Sequence, residues 1–186
     1  MTDVAMQSPA DHLLPRQFPG GCLRRLRSSD LNAFQAYRSI PGLGRYQGWS
    51  PMSDKEALAF LTGMETDVFF QPGQWIQLGI AEPHTDILIG DIGLHLSEDG
   101  QTGEVGFTLA PSAQGRGVAT AAVREALQLL FTATPVSRVL GITDARNTPS
   151  VRLLERLGFT CQETRNAIFR GEECVERVFV LPRYHV

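Results

Sequence analysis

A chain of 186 residues with 42% hydrophobic and 20% charged residues is long and apolar enough for one well-packed domain, and a single domain is the expectation. A net charge of −3 excludes a nucleic-acid binder working through a general basic surface, and no run of about 20 apolar residues exists to cross a membrane. Cys22, Cys161 and Cys174 are odd in number and include no C-x-x-C pair, so neither a disulfide framework nor a zinc site is indicated; reduced thiols, a cytoplasmic location and no metal are expected.

Residues 1–21 hold Pro9, Pro15, Pro19, Gly20 and Gly21 without an apolar run of signal-peptide length, and are read as a flexible N-terminal extension to a domain spanning 22–186. A strand is expected over 22–27, then a helix capped by Ser29 or Asp30 that turns Leu31, Phe34 and Tyr37 inward. Residues 40–52 collect Pro41, Gly42, Gly44, Gly48 and Pro51 around Arg45, Tyr46 and Trp49, a loop whose aromatics either plug the core edge or line a pocket. Ser53 and Glu56 form a capping box for a helix expected to end at Gly63. Strands over 75–81 and 87–96, joined by a turn at 82–86, lead past Glu98, Asp99 and Gly100 into a third over 104–110, where Pro111 stops it because proline donates no ladder hydrogen bond.

Beyond that strand stand Gln114, Gly115, Arg116, Gly117, Val118, Ala119 and Thr120, and then Ala119, Ala122, Val123, Ala126, Leu127 and Leu130 recur along one helical face. A glycine turn feeding a helix N-terminus offers unpaired N–H groups and favourable dipole potential to a phosphate or pyrophosphate. Gly117 is followed by Val118 rather than Lys and Ser or Thr, and the stretch misses G-x-G-x-x-G, so both the Walker and the Rossmann readings fail. Next come a buried strand over 138–143 and a helix with Thr148 as expected N-cap, Pro149 at its first position, an apolar stripe of Val151, Leu154 and Leu157, and Gly158 ending it in a left-handed conformation with Phe159 packing back. Residues 159–169 and 175–181 read as a last hairpin around 170–173.

Two of these stretches resemble one family. Gln114, Gly117 and Ala119 match the Q/R-x-x-G-x-G/A signature of the GNAT superfamily of N-acetyltransferases, and Asn147, Ser150, Glu155, Gly158 and Phe159 match its N-x-x-S-x-x-x-x-E-x-x-G-F block. With Glu104, Val105, Gly106 and Phe107 upstream, the chain resembles in particular the branch of ribosomal-protein alanine N-acetyltransferases. The resemblance implies an α+β, three-layer fold, with a mostly antiparallel central sheet, helices on both faces and splayed central strands.

It also implies an activity: transfer of an acetyl group from acetyl-CoA, as co-substrate and without a metal, to a primary amine on a small molecule or peptide N-terminus. The enzyme is expected to be a monomer or homodimer with no nucleic-acid or membrane partner. In the family the pyrophosphate sits on the turn of Gln114, Gly115, Arg116, Gly117, Val118, Ala119 and Thr120. The pantetheine arm lies between the strands near Leu109 and Ile142, Leu109 and Ala110 serve the cofactor's carbonyl end, and Asn147 bonds the arm or the local turn. Glu104 is the expected base, with Asp91 and His95 on the neighbouring strand as relay or structural groups. The family's usual acid, a tyrosine seven residues after the asparagine, is Leu154 here, leaving Ser150 to bond the departing sulfur, to cap its helix, or both. The alternative is a non-catalytic acyl-CoA-binding module on the same fold. A serine or cysteine hydrolase is disfavoured, since no G-x-S-x-G is present.

Overall fold

The computed structural model describes residues 13–183. Its strands are β1 (Arg16–Phe18), β2 (Gly21–Arg25), β3 (Trp75–Ala81), β4 (Leu88–Leu96), β5 (Thr102–Leu109), β6 (Arg138–Asp144), β7 (Thr160–Phe169) and β8 (Glu172–Pro182). Its α-helices are α1 (Leu31–Arg38), α2 (Asp54–Thr66), α3 (Val118–Ala133) and α4 (Thr148–Arg156). The strands form one sheet in the order β1-β2-β3-β4-β5-β6-β8-β7, antiparallel everywhere except between β5 and β6, which α3 joins as a crossover.

Period-two alternation decides the layers. Ile76, Leu78 and Ile80 of β3, Ile92, Leu94 and Leu96 of β4, and Val105 and Leu109 of β5 face α3 and α4 in one apolar cluster. On the opposite side Phe34 and Tyr37 of α1 pack with Ala57 and Leu61 of α2. This is the expected three-layer α+β arrangement.

The expected extension is overturned in part. Residues 1–12 lie outside the described residues, but Arg16 pairs with Leu23 as β1 joins the sheet, and its guanidinium bonds Glu125 of α3 at 2.9 Å. Helix α2 starts at the Ser53 and Glu56 capping box as expected, yet runs through Gly63 to Thr66, because one glycine costs a helix only about 1 kcal/mol. At α4 the cap is Asn147 rather than Thr148: its Oδ1 accepts from the Ser150 N–H at 3.4 Å, which moves Pro149 to the second position. The helix ends as read, with Gly158 at φ 89°, and the N–H groups of Gly158 and Phe159 bonded to the carbonyls of Glu155 and Leu154. The last hairpin is tighter than expected. Arg170 and Gly171, both at positive φ, make a two-residue turn that lets pairing begin at Phe169 and Glu172.

The feature that positions the site is the single parallel contact. β5 and β6 pair only at Thr102 with Arg138, Gly103 with Val139 and Glu104 with Leu140, and beyond Glu104 they part.

Candidate active site

A cleft of about 520 Å³ opens where β5 and β6 separate. Phe107, Thr108 and Leu109 form its β5 wall; Gln114, Gly115, Gly117 and the first residues of α3 form its mouth; Asn147, Pro149, Ser150, Leu153 and Arg156 contribute from α4. The residues 40–53 loop closes it with Gly42, Leu43, Tyr46 and Gln47.

The mouth is built by two left-handed glycines. Gly115 and Gly117 have φ of 75° and 79°, and a Cβ at either would meet nothing within 4 Å, so it would project into open space at the turn. The first helical bond of α3 runs from the Ala121 N–H to the Gly117 carbonyl, which leaves the N–H groups of Val118, Ala119 and Thr120 without a partner inside the helix. Bare backbone, free amides and a helix dipole together suit an anionic phosphate. Gln114 fixes this turn to the strand, its Nε2 donating to the Leu109 carbonyl at 2.9 Å.

Strand alternation settles which amides face the fork. The Ala110 N–H donates to the Ile89 carbonyl at 2.8 Å, toward β4, so the N–H groups of Phe107 and Leu109 point the other way, where β6 has left. The Phe107 carbonyl, on that same side, accepts from Gln47 Nε2 at 3.1 Å. Ala110 therefore drops out of the expected cofactor set: its amide is spent, its side chain packs with the α1 and α2 cluster, and it is absent from the cleft wall. Arg116 is exposed on the turn and also stands off the wall.

Glu104 occupies the last paired position before the fork, opposite His95 on β4. Because Val105 points into the α3 cluster, Glu104 projects from the other face of the sheet and is not on the cleft wall. Burial pushes its carboxyl above the ordinary carboxylate range, Glu176 adds to the rise, and His95 and Arg165 oppose it. His95 itself is stacked beside Trp75, ring centres 5.2 Å apart.

Asp91 shares that face but is structural. Only 2% exposed, it accepts from Arg38 Nη2 at 2.7 Å and from the Tyr37 hydroxyl at 2.5 Å. The Arg38 guanidinium lies 4.1 Å from the Trp49 ring, and Trp49 Nε1 donates to Thr108 Oγ1 at 3.2 Å. The loop aromatics thus divide their labour, with Trp49 plugging the core edge and Tyr46 lining the cleft. The hairpin tip completes the closure, Arg170 donating to the Trp49 carbonyl.

On α4, Ser150 lines the cleft with its amide committed to the Asn147 cap; among the described residues no hydrogen bond occupies its hydroxyl. Leu154 is 2% exposed and packs over Gly141, away from the cleft. Several wall residues, among them Gln47, Leu153 and Arg156, lie outside the expected set, and for Tyr46 the sequence left plug and pocket open. Tyr46 and Gln47 sit in a loop with no periodicity to orient them, and Arg156 reads as solvent-facing although it reaches Thr120 Oγ1 at 3.4 Å. Its spacing from Pro149 and Leu153 on one face of α4 was the available signal. Among the described residues, no three His, Cys, Asp or Glu side chains cluster as a metal centre requires.

A sheet forked at one parallel pair, with a glycine turn and helix N-terminus at its mouth, is a fold shared with solved structures: an acetyltransferase of the GNAT family from Bacillus anthracis superposes with a TM-score of 0.80 at 18% identity, covering 92% of this chain and 99% of that one. A ribosomal-protein alpha-N-acetyltransferase in complex with coenzyme A gives 0.76 at 15% identity, covering 89% and 98%. In sequence, the uncharacterised N-acetyltransferase p20 of Bacillus licheniformis is 29% identical over 139 residues, 74% of this chain and 77% of its own length. The family model described as "Acetyltransferase (GNAT) domain" matches residues 22–160, and the chain belongs to that family. It is an acetyl-CoA-dependent acyltransferase.

Proposed function

We propose that this enzyme moves the acetyl group of acetyl-CoA to a primary amine, on a small molecule or a protein N-terminus, by direct attack within a ternary complex. The observation that carries this reading is the fork: an unpaired edge of β5 ending at an anion-ready turn accommodates a long ligand with a phosphate at one end and a carbonyl at the other. Acetyl-CoA, when bound, supplies an acyl group already activated as a thioester. The chain's own residues have three tasks: to hold, to orient and to manage protons.

Holding falls to the turn of Gln114, Gly115, Gly117, Val118, Ala119 and Thr120, with Arg116 adding charge from outside. Orientation falls to the Leu109 N–H, aimed into the fork, and to the Asn147 side of α4. Proton acceptance from the ammonium falls to Glu104, directly or through a water. An acetyl-CoA consumption screen over amines and N-terminal peptides tests the whole reading; no turnover with any acceptor would refute it.

The Glu104 role has a pH signature. Only the ionised carboxylate accepts a proton, so kcat/KM should fall as pH drops through the raised pKa of Glu104. Glu104→Gln should lose roughly 10²- to 10³-fold in kcat/KM and lack that acidic limb, with the Kd for acetyl-CoA unchanged. Calorimetry showing that this variant no longer binds acetyl-CoA would instead place Glu104 on the cofactor side.

Ser150 hydrogen-bonds the departing sulfur in this scheme. Loss of one such bond, about 1.4 kcal/mol on the barrier, corresponds to roughly a tenfold drop in kcat for Ser150→Ala. Its amide, not its hydroxyl, meets the Asn147 cap, so the variant should melt with the parent. Unchanged kcat in a stable variant removes Ser150 from the reaction and leaves water as the proton donor.

A further inference from the structure

Tyr46 belongs to two walls. Besides the cleft, it borders a second recess of about 150 Å³ lined by Arg45, Asp144, Arg146, Phe169, Arg170 and Glu172. The recess lies where the 40–53 loop, the end of β6 and the tip of the β7–β8 hairpin meet, and Tyr46 makes it a neighbour of the cleft.

Its charges are unevenly committed. Asp144 is buried and gripped by Arg146 through Nε at 3.0 Å and Nη2 at 2.7 Å, hydrogen bonds that hold its carboxyl below the usual carboxylate range. Arg170 spends one nitrogen on Trp49 and Ser50. The Arg45 guanidinium has no hydrogen bond or ion pair among the described residues, although its charge helps to lower Asp144; its one ring contact is with Tyr46, whose centre lies 5.3 Å from the guanidinium carbon, and Arg146 flanks the same ring at 6.0 Å. Three guanidinium groups against two carboxylates, one of them already neutralised by Arg146, leave the recess positive in a chain whose net charge is −3.

We propose that this recess receives a carboxylate of the acceptor, so that the preferred acceptors are small amines carrying a carboxylate, with Arg45 as the specificity-determining residue. The inference rests on the N-acetyltransferase reading and deepens it. A guanidinium with free, forked donors matches a carboxylate in geometry as well as charge, and the Tyr46 ring holds that fork at the cleft's border. In an α-amino acid the amine and the carboxylate share one carbon, so with the anionic end on Arg45 the amine lies beside Tyr46, the wall common to recess and cleft.

The test compares three acceptors at fixed acetyl-CoA: serine, ethanolamine (the same amine without the carboxylate) and spermidine, with O-phosphoethanolamine as a phosphate arm. Serine is expected to exceed ethanolamine and spermidine at least tenfold in kcat/KM. Arg45→Glu should remove that advantage by raising the KM for serine, leaving kcat and the Kd for acetyl-CoA unchanged, and Arg45→Lys should restore part of it. Arg45 is exposed, and an unchanged melting temperature confirms that these variants fold. Preference for ethanolamine or spermidine, or an advantage that survives Arg45→Glu, overturns the proposal, as does turnover of O-phosphoethanolamine above serine. If the parent protein binds acetyl-CoA in calorimetry, such a result overturns the acceptor assignment alone; if it does not bind, the N-acetyltransferase reading falls too.

Discussion

Gly117→Glu is expected to abolish measurable acetyl-CoA binding. The substitution places a carboxylate at the mouth of the cleft, where the free N–H groups of Val118, Ala119 and Thr120 converge, and so puts like charge beside the ligand's phosphates. It also imposes a side chain on a residue at φ 79°, a strain of about 1–2 kcal/mol that by itself should leave the fold intact. Gly117→Ala separates the two effects, since it carries the strain without the charge. Calorimetry on both variants, beside their thermal melts, decides the matter. A folded glutamate variant with the parent's affinity would show that the phosphates bind elsewhere.

Asp91→Ala should be the most destabilising of the substitutions considered. It leaves Arg38, 4% exposed, as an uncompensated buried charge, for which about 3–5 kcal/mol is typical. For a chain of this size that corresponds to a fall in Tm of roughly 6–20 °C. The damage should also spread to function, since Arg38 carries Trp49 and Trp49 straps the loop to Thr108. KM for the acceptor should therefore rise more than the Kd for acetyl-CoA. Replacing the whole buried group by apolar residues of similar volume, as in Asp91→Leu with Arg38→Met and Tyr37→Phe, so that no hydroxyl is left without its acceptor, should recover most of the stability. A melt within 2 °C of the parent for Asp91→Ala would mean that the pair contributes nothing, against the roughly 3–5 kcal/mol expected here.

What could be read from the sequence was whatever local periodicity and turn chemistry encode. The glycine turn, the stripe of α3, the Gly158 terminator and the strand alternation of β3 and β4 are all local, and each lies where its pattern puts it. β1 was hidden, because three residues between prolines and glycines carry no period, and its pairing with β2, from Arg16 opposite Leu23 to Phe18 opposite Gly21, with the Arg16 bond to Glu125, is a long-range matter. The fork followed from family resemblance rather than from residues, since nothing in Thr102 to Glu104 announces that pairing will stop there. The walls supplied by Tyr46, Gln47 and Arg156 depend on where a loop and a helix face are carried by long-range contacts such as the Trp49 bond to Thr108. The Asp91 role was legible only as a choice between relay and structure, which the partners on α1 resolve.

Gly141 and Leu154 are coupled by packing. A Cβ added at Gly141 would come within 2.6 Å of Leu154 Cδ2, so the bare backbone of β6 and the side chain that fills the family's tyrosine position fit each other as a pair. Restoring an aromatic at 154 would overpack this site unless neighbours moved first, and enlarging 141 would expel the leucine. The two positions are thus epistatic. An aromatic at 154 is therefore a change that this backbone admits only together with a shift of its neighbours, whereas a proton donor placed on the cleft wall itself would meet no such barrier.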